Sequence, residues 1–365
     1  MRAFDLPSDD QMYAAVVRRD VGFDGVFYTA VRTTGIFCRP SCPAKTPLRS
    51  NVEFHATARD ALFAGYRACL RCRPLERTGS TPEWLRPLME VVASSPDRRV
   101  RDTDLRAMGL EPVRVRRWFR KHHGMTFHAY QRGVRLGRAL TQLREGEEVT
   151  RTAYDSGYES LSGFNDAVQR LVGRSPGASR DLTVVQLTRV LTPLGPMIAG
   201  ATDAAVCLLE FADRRMLERQ LERITRLLRC TLVPGGNDVV RALERELEAY
   251  FDGRLREFTV PLDTRGTEFQ QSVWRALQTI PYGETRSYAQ QAVMVGQPAA
   301  VRAVARANGD NRIAIVIPCH RVVGADGKLT GYGGGLWRKR WLLDLEQGQG
   351  RLTGAITEGV ASRTA

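Results

Sequence analysis

The sequence predicts a multidomain α+β protein, and three observations carry that prediction. At 365 residues the chain is too long for one hydrophobic core, so about two to four domains are expected. Its hydrophobic periodicity changes from short strand-like runs to a long helical stretch, then to alternating strands and helices. Its cysteines and its positive charge are concentrated unevenly, which marks chemically distinct parts. Hydrophobic and charged fractions of 43% and 26% describe a globular chain rather than a disordered or collagen-like one. No apolar run approaches the ~18 residues of a membrane span. The first ten residues, MRAFDLPSDD, carry acids where a secretion signal carries a basic and then an apolar region. A cytoplasmic protein without a membrane partner is expected.

Residues 1–77 read as a compact α+β unit. Within it Phe27-Tyr28-Thr29-Ala30-Val31 is strand-like, and 59–68 is a short helix that ends at a cysteine pair. The polar stretch 77–82, with its Gly and Pro, is a joint. Residues 83–180 are helical and contain an internal echo. Trp118-Phe119-Arg120-Lys121-His122-His123-Gly124-Met125-Thr126 is similar to Ala167-Val168-Gln169-Arg170-Leu171-Val172-Gly173-Arg174-Ser175, displaced by 49 residues. A glycine between short helices precedes each copy (Gly109, Gly157), which gives two helix-turn-helix units side by side. Residues 183–262 mix β-rich runs with helices at 216–229 and 239–250. In 263–350, helices are expected near 269–277, 287–294, 298–308 and 337–345. An apolar strand is expected at 313–317, and Gly331-Tyr332-Gly333-Gly334-Gly335 forms a flexible stretch. Residues 351–365 read as a loose tail.

Lys+Arg 54 against Asp+Glu 40 gives a net charge of +14, which suits a polyanionic partner. Only four of the cations are lysines, so arginine-rich codon usage is one explanation. Distribution argues for another: residues 1–180 carry net +10 and the remainder +4, placing a nucleic-acid surface in the first half. The segment Pro112-Val113-Arg114-Val115-Arg116-Arg117-Trp118-Phe119 fits a recognition helix. Val115, Trp118 and Phe119 would pack beneath it, while Arg114, Arg116 and Arg117 face out.

Seven cysteines in a chain of this kind argue for metal or nucleophile chemistry rather than disulfides. Cys38-x3-Cys42 and Cys69-x2-Cys72 have the spacing of a four-thiolate tetrahedral zinc site. Such a site serves as a folding staple, but a zinc-bound thiolate stays ionised and can also act as a masked nucleophile. Cys207 and Cys230 sit in apolar runs and read as core. Cys319 lies between Pro318 and His320 at the end of the apolar run. Neighbours on a strand point to opposite faces, so His320 reaches Cys319 only if Pro318 bends the chain.

The run Ala30-Val31-Arg32-Thr33-Thr34-Gly35-Ile36-Phe37-Cys38-Arg39-Pro40-Ser41-Cys42, with Cys69-Leu70-Arg71-Cys72, resembles the metal domain of the Ada family, the adaptive-response proteins of bacteria. The helical repeat resembles AraC-type tandem helix-turn-helix domains, although Gly163 and Glu159 depart from pattern in its second copy. The stretch from Gly266-Thr267-Glu268-Phe269-Gln270 through Pro318-Cys319-His320-Arg321 to Leu345-Glu346 resembles O6-alkylguanine-DNA alkyltransferases.

The resemblance implies a four-cysteine zinc domain, an all-α tandem helix-turn-helix, and an alkyltransferase module. That module would comprise a ribonuclease-H-like subdomain (183–262) and a winged-helix-like catalytic part (263–350). It implies one zinc ion held by Cys38, Cys42, Cys69 and Cys72, with Cys38 accepting a methyl group from DNA methylphosphotriesters. It implies a second acceptor, Cys319, for methyl groups of O6-methylguanine and O4-methylthymine. His320 would deprotonate Cys319 through a water and Glu346 would orient the histidine. Tyr288 would help the base leave the stack and protonate it, Arg302 would fill the vacated space with Arg306 beside it, Asn311 would hold the turn before the thiol, and Tyr332 would line the base pocket.

The implied partners are double-stranded DNA and RNA polymerase, and the implied form is a monomer. Methylating one of four thiolates around a dication takes the site from −2 to −1, which should strengthen phosphate binding and act as a switch. A transcription factor with an inert C-terminal half and a multiple-turnover Cys-His-Glu hydrolase are the rivals. The intact Cys319 constellation argues against the first. The lack of any specific sign of an oxyanion hole argues against the second.

Overall fold

The computed structural model describes residues 6–20, 23–75, 81–214 and 216–348, so the tail 351–365 lies outside the described residues, as does most of the joint 77–82. The first unit opens with α1 (Asp9–Arg18), whose Ser8 and Gln11 form a reciprocal capping box. It continues with β1 (Tyr28–Val31), β2 (Ile36–Cys38), β3 (Val52–His55), α2 (Ala58–Phe63) and β4 (Arg67–Ala68), in a sheet ordered β3-β1-β2-β4. The expected helix 59–68 ends at Phe63. Thereafter the chain turns into β4, which pairs parallel with β2 and sets Ala68 opposite Phe37. Pairing with β2 supersedes helical continuation there, and it brings the second cysteine pair beside the first.

The helical unit runs α3 (Arg86–Ser94), α4 (Asp102–Ala107), α5 (Pro112–His123), α6 (Phe127–Arg144), α7 (Val149–Asp155) and α8 (Leu161–Val172). Helices α4–α5 and α7–α8 are the two helix-turn-helix units. Gly109 and Gly157 turn the chain with positive φ, 71° and 72°, a region open to glycine. Gly163 falls in the first turn of α8, where its N–H donates to the capping hydroxyl of Ser160 at 3.1 Å. At that position a glycine costs the helix little, because the amide is capped and the helix proceeds to Val172.

The remaining chain begins with β5 (Thr183–Thr192), β6 (Gly195–Ala201), β7 (Val206–Phe211), α9 (Leu217–Leu228), β8 (Cys230–Pro234) and α10 (Asp238–Phe251), with sheet order β7-β6-β5-β8. Then come α11 (Glu268–Gln278), β9 (Arg286–Ser287), α12 (Tyr288–Met294), α13 (Val301–Gly309), β10 (Val322–Val323) and α14 (Leu336–Glu346). One apolar core joins the sheet and α10 to these later helices, through Phe211, Tyr250, Trp274, Ile317 and Leu342. Cys207 and Cys230 are buried in a smaller cluster with Ile224 and Leu228.

The expected strand 313–317 is instead a tight buried turn. Only Ile313 bridges a strand, at Leu209, and Ile315 adopts φ 73°, a strained conformation for a β-branched residue. The Asn311 side chain explains the turn: it accepts from the Ile313 N–H at 3.0 Å and donates to the Ile317 carbonyl at 2.9 Å. An apolar run is buried equally well as strand or turn, and here the asparagine decides.

Helix α6 packs directly on β8. A Cβ on Gly133 would lie 2.6 Å from the Pro234 ring, and one on Gly137 2.6 Å from Val233. Gly133→Ala is therefore expected to cost about 1–3 kcal/mol by overpacking, read as a lowered melting temperature. An unchanged melt would show that the helix moves off the strand without penalty.

Candidate active site and metal centre

Strand β2 ends at Cys38, and Cys69 follows β4, held by its N–H to the Phe37 carbonyl at 3.0 Å. The loop to Cys42 is fixed by buried Asp24, which accepts from the backbone and hydroxyl of Ser41 at 3.0 and 2.5 Å. The ligand sulfurs of Cys38, Cys42, Cys69 and Cys72 all lie within 4.8 Å of one another. A tetrahedron with Zn–S of about 2.3 Å requires sulfurs about 3.8 Å apart, and Cys42 and Cys69 are at 4.0 Å. The four residues fit one zinc ion. Hydrogen bonding to Cys42 and then Cys72, together with burial, pushes the Cys38 thiol up, as expected where neighbouring sulfurs share protons. Cys42 and Cys69 are buried, while Cys38 and Cys72 are half-buried.

The second centre is built on the Asn311 turn. Beyond Pro318 the chain enters a single 3-10 turn, Cys319–Arg321, so thiol and imidazole do not alternate across a strand. Asn311 Nδ2 donates to Cys319 Sγ at 3.3 Å. Burial pushes the Cys319 thiol up, and the Asn311 hydrogen bond opposes this. His320 and Glu346 are fully buried side chains joined through Nε2 and Oε1 at 2.9 Å, and His320 Nδ1 has no protein partner.

Four donors besides the histidine converge on Glu346. Tyr250 Oη donates at 2.7 Å, Arg321 Nε and Nη2 at 2.9 and 3.0 Å, and the Gly283 N–H at 3.2 Å. Burial opposes its charge, yet His320 and Arg321 hold Glu346 well below the usual carboxylate range. The result is a charged carboxylate held to one nitrogen of a buried imidazole whose other nitrogen has no protein partner.

Around this core, Tyr288 begins α12 and its hydroxyl lies 3.3 and 3.2 Å from the carbonyl oxygens of Thr330 and Gly331, to which it donates. Half-buried Tyr332 carries a hydroxyl without a protein partner. Its pKa is raised by burial and then by the Cys319 charge, which places it in the thiol's field. Arg302 and Arg306 are exposed on α13. On α5, Arg114 and Arg117 are exposed, Arg114 resting on the Trp84 ring at 4.1 Å. Arg116 does not face out freely: it is half-buried and lies 3.5 Å from Asp102 of α4.

Sequence reasoning missed Lys339, Arg321 and Tyr250. Lys339 is fully buried and donates to the carbonyls of Val322 and Thr330 beside the Tyr288 ring. Burial lowers its pKa to about 8, against the pull of Cys319. The sequence places it only within a helix near 337–345 and gives it no role.

Buried His320 and half-buried His122 and His123 give a pH prediction. Burial holds His320 below the ordinary 6.5, and His122 and His123 are pushed down to about 4 by burial and then Arg189. An unfolded histidine takes a proton near 6.5 while these do not, so the unfolded state binds more protons below that pH. Stability is therefore expected to fall as pH drops from about 6.5 toward 4, and His122→Gln/His123→Gln should flatten the fall. Melting temperature against pH checks this, and a flat wild-type profile would refute it.

Three family models match along the chain. They are the metal binding domain of Ada over residues 11–75, a helix-turn-helix domain over 105–181, and the DNA binding domain of 6-O-methylguanine DNA methyltransferase over 268–348. The chain is 37% identical over 365 residues to the bifunctional transcriptional activator/DNA repair enzyme Ada of Escherichia coli (strain K12), covering 93% of this chain and 96% of that one. It is 51% identical over 156 residues to a methylated-DNA–protein-cysteine methyltransferase of Mycobacterium tuberculosis (strain ATCC 25618 / H37Rv), covering 43% of this chain and 88% of the relative. A crystal structure of Mycobacterium tuberculosis OGT in complex with DNA is similar at 45% identity and a TM-score of 0.39, covering 46% and 94% of the two chains. With a four-thiol zinc site, paired helix-turn-helix units and a cysteine-bearing C-terminal domain matched in one order over nearly its whole length, the chain belongs to the Ada family of bifunctional transcriptional activators and DNA repair enzymes.

Proposed function

We propose that the protein removes methyl groups from O6-methylguanine and O4-methylthymine in DNA onto Cys319, and from DNA methylphosphotriesters onto Cys38. The second transfer would switch it into a sequence-specific activator of alkylation-repair genes. The observation that carries the first reaction is the Asn311–Cys319 contact beside a histidine locked by a charged glutamate. His320 Nδ1 takes the thiol proton through a water, the sulfur attacks the methyl carbon, and the C–O bonding pair departs into the delocalised anion of the base, which Tyr288 helps to protonate. A thioether does not hydrolyse, so each chain reacts once. Tyr332 walls the base pocket, Arg302 fills the gap left by the flipped base, and Arg306, Arg114, Arg116 and Arg117 meet DNA.

At the metal centre, Cys38, which like Cys72 is half-buried rather than buried, is the thiol that takes the phosphotriester methyl, as the resemblance of its flanking run to the Ada metal domain implies. When bound, zinc keeps that sulfur ionised and nucleophilic at neutral pH. Lowering the negative charge of the four-thiol cluster then strengthens DNA binding. We include RNA polymerase as the partner that activation requires, and assign a monomer acting in the cytoplasm.

The test is methyl transfer from radiolabelled methylated DNA, counted per chain. Two equivalents are expected for wild type and one each for Cys38→Ala and Cys319→Ala. A single equivalent, lost only with Cys319, would leave Cys38 a structural ligand. Unchanged operator affinity after Cys38 methylation would remove the switch.

A further inference from the structure

The asparagine turn before Cys319 is gripped by a side chain from far along the chain. Arg214 follows β7, about a hundred residues before Asn311 in sequence. Its guanidinium donates to the Gly309 carbonyl at 2.6 Å and to the Asn311 carbonyl at 3.3 Å, the residues that flank the end of α13 and the start of the thiol-bearing turn. Between them, Asp310 is held by Arg223 of α9 and by Gln270 of α11, both at 2.9 Å.

The other face of the Arg214 guanidinium lies against the glycine stretch. A Cβ on Gly333 would stand 2.5 Å from Arg214 Cζ, so a glycine there admits the contact. Arg214 is itself anchored by Glu210, a fully buried carboxylate on β7. The neighbouring Asp213 makes a paired contact with buried Arg338 at 2.9 and 2.9 Å. Arg338 in turn donates to the carbonyls of Leu194 and Gly334 at 2.9 Å each. A buried ion pair is poor evidence of stabilisation, since apolar replacements often serve as well. Its value here lies in where it points: one planar cation touches both the turn that presents the thiol and the loop that carries Tyr332.

We propose that Arg214, anchored by Glu210, is a positioning residue for methyl transfer that fixes the Asn311 turn against the glycine loop 331–335. This rests on the function proposed above. The arginine holds the distance between nucleophile and base pocket and touches neither reacting atom. Lysine does not reproduce its fork, because a compact ammonium is not a plane that lies flat on Gly333 while reaching Glu210 and both carbonyls.

The experiment is single-turnover methyl transfer from an O6-methylguanine duplex to Cys319 of the full chain, with binding to unmethylated duplex and thermal melting measured alongside. Glu210→Gln/Arg214→Met removes both charges at once and leaves no uncompensated ion. It is expected to melt near wild type and to bind DNA within about twofold. Its transfer rate at saturating DNA is expected to fall about tenfold or more, as misplacement of a reacting group does. Arg214→Lys should fall between. Gly333→Ala pushes the guanidinium away from outside without emptying the interior, so it tests the idea even where the double variant folds poorly, and it too should slow transfer at saturating DNA.

A wild-type saturating rate in Gly333→Ala or in a folded double variant overturns the proposal, as does a loss confined to DNA affinity. A folded wild-type chain that takes no methyl at Cys319 overturns the functional reading, and the positioning role with it.

Discussion

A Glu346→Gln chain is expected to transfer methyl to Cys319 about 10²- to 10⁴-fold more slowly than wild type, the range that general acid–base assistance supplies. Both oxygens of Glu346 accept hydrogen bonds, and every neighbour is a donor: Tyr250, His320, Arg321 and the Gly283 amide. A glutamine must turn its amide nitrogen toward one of these donors. It also removes the charge that favours an imidazolium at His320 once the thiol proton arrives. Arg321, whose side chain is 8% exposed, is left without its counter-ion. Breaking such a buried pair costs about 3–5 kcal/mol, so a lower melting temperature should accompany the slower reaction. Single-turnover kinetics on methylated duplex check the rate, and methyl transfer to Cys38 in the same chain serves as the internal control. A rate near wild type would remove the histidine–glutamate pair from the mechanism.

Stripping the metal with a strong chelator is expected to unfold the N-terminal unit and abolish transfer to Cys38, leaving transfer to Cys319 intact. Structural zinc contributes on the order of 10–16 kcal/mol to small domains that fold around it. The apolar clusters here are small, one built on Met12, Ala15, Val16 and Phe27 and the other on Ala30, Phe37 and Ala61. They cannot hold the sheet without the four sulfurs joined. Cys69→Ser, which removes a buried ligand, should behave as a milder version of chelation. Proteolytic susceptibility of residues 6–75, with bound zinc counted by native mass spectrometry, reads the outcome. A chelated chain that still labels at Cys38 would show that the thiol reacts without metal assistance.

How much of this was legible beforehand follows the range over which each signal acts. The helices expected from 59, 239, 269 and 287 begin within a residue of those positions, where Thr57, Asn237, Thr267 and Ser287 each cap an amide three residues on. By contrast α1, capped by Ser8, is not among the expected helices. The thiol pairs were readable because ligand spacing is a local property of a loop. Cys319 and His320 were visible as a motif, yet their geometry was not. A run of five apolar residues fits a buried strand as well as a buried turn, and only the Asn311 side chain bending back on Ile313 and Ile317 selects the turn.

The sequence by itself determined the order of the three units, the four cysteines of the metal centre and the identity of the residues beside Cys38 and Cys319. Tertiary structure alone decided which charges are internal. Nothing in the order of residues marks Arg214, Arg321, Arg338 and Lys339 as buried cations. Each takes at least one partner from far along the chain, from 17 positions away (Val322 for Lys339) to 144 (Leu194 for Arg338), and folding brings that partner to it. A buried cation is tolerable only where carbonyls and carboxylates converge on it, and that convergence is made by folding.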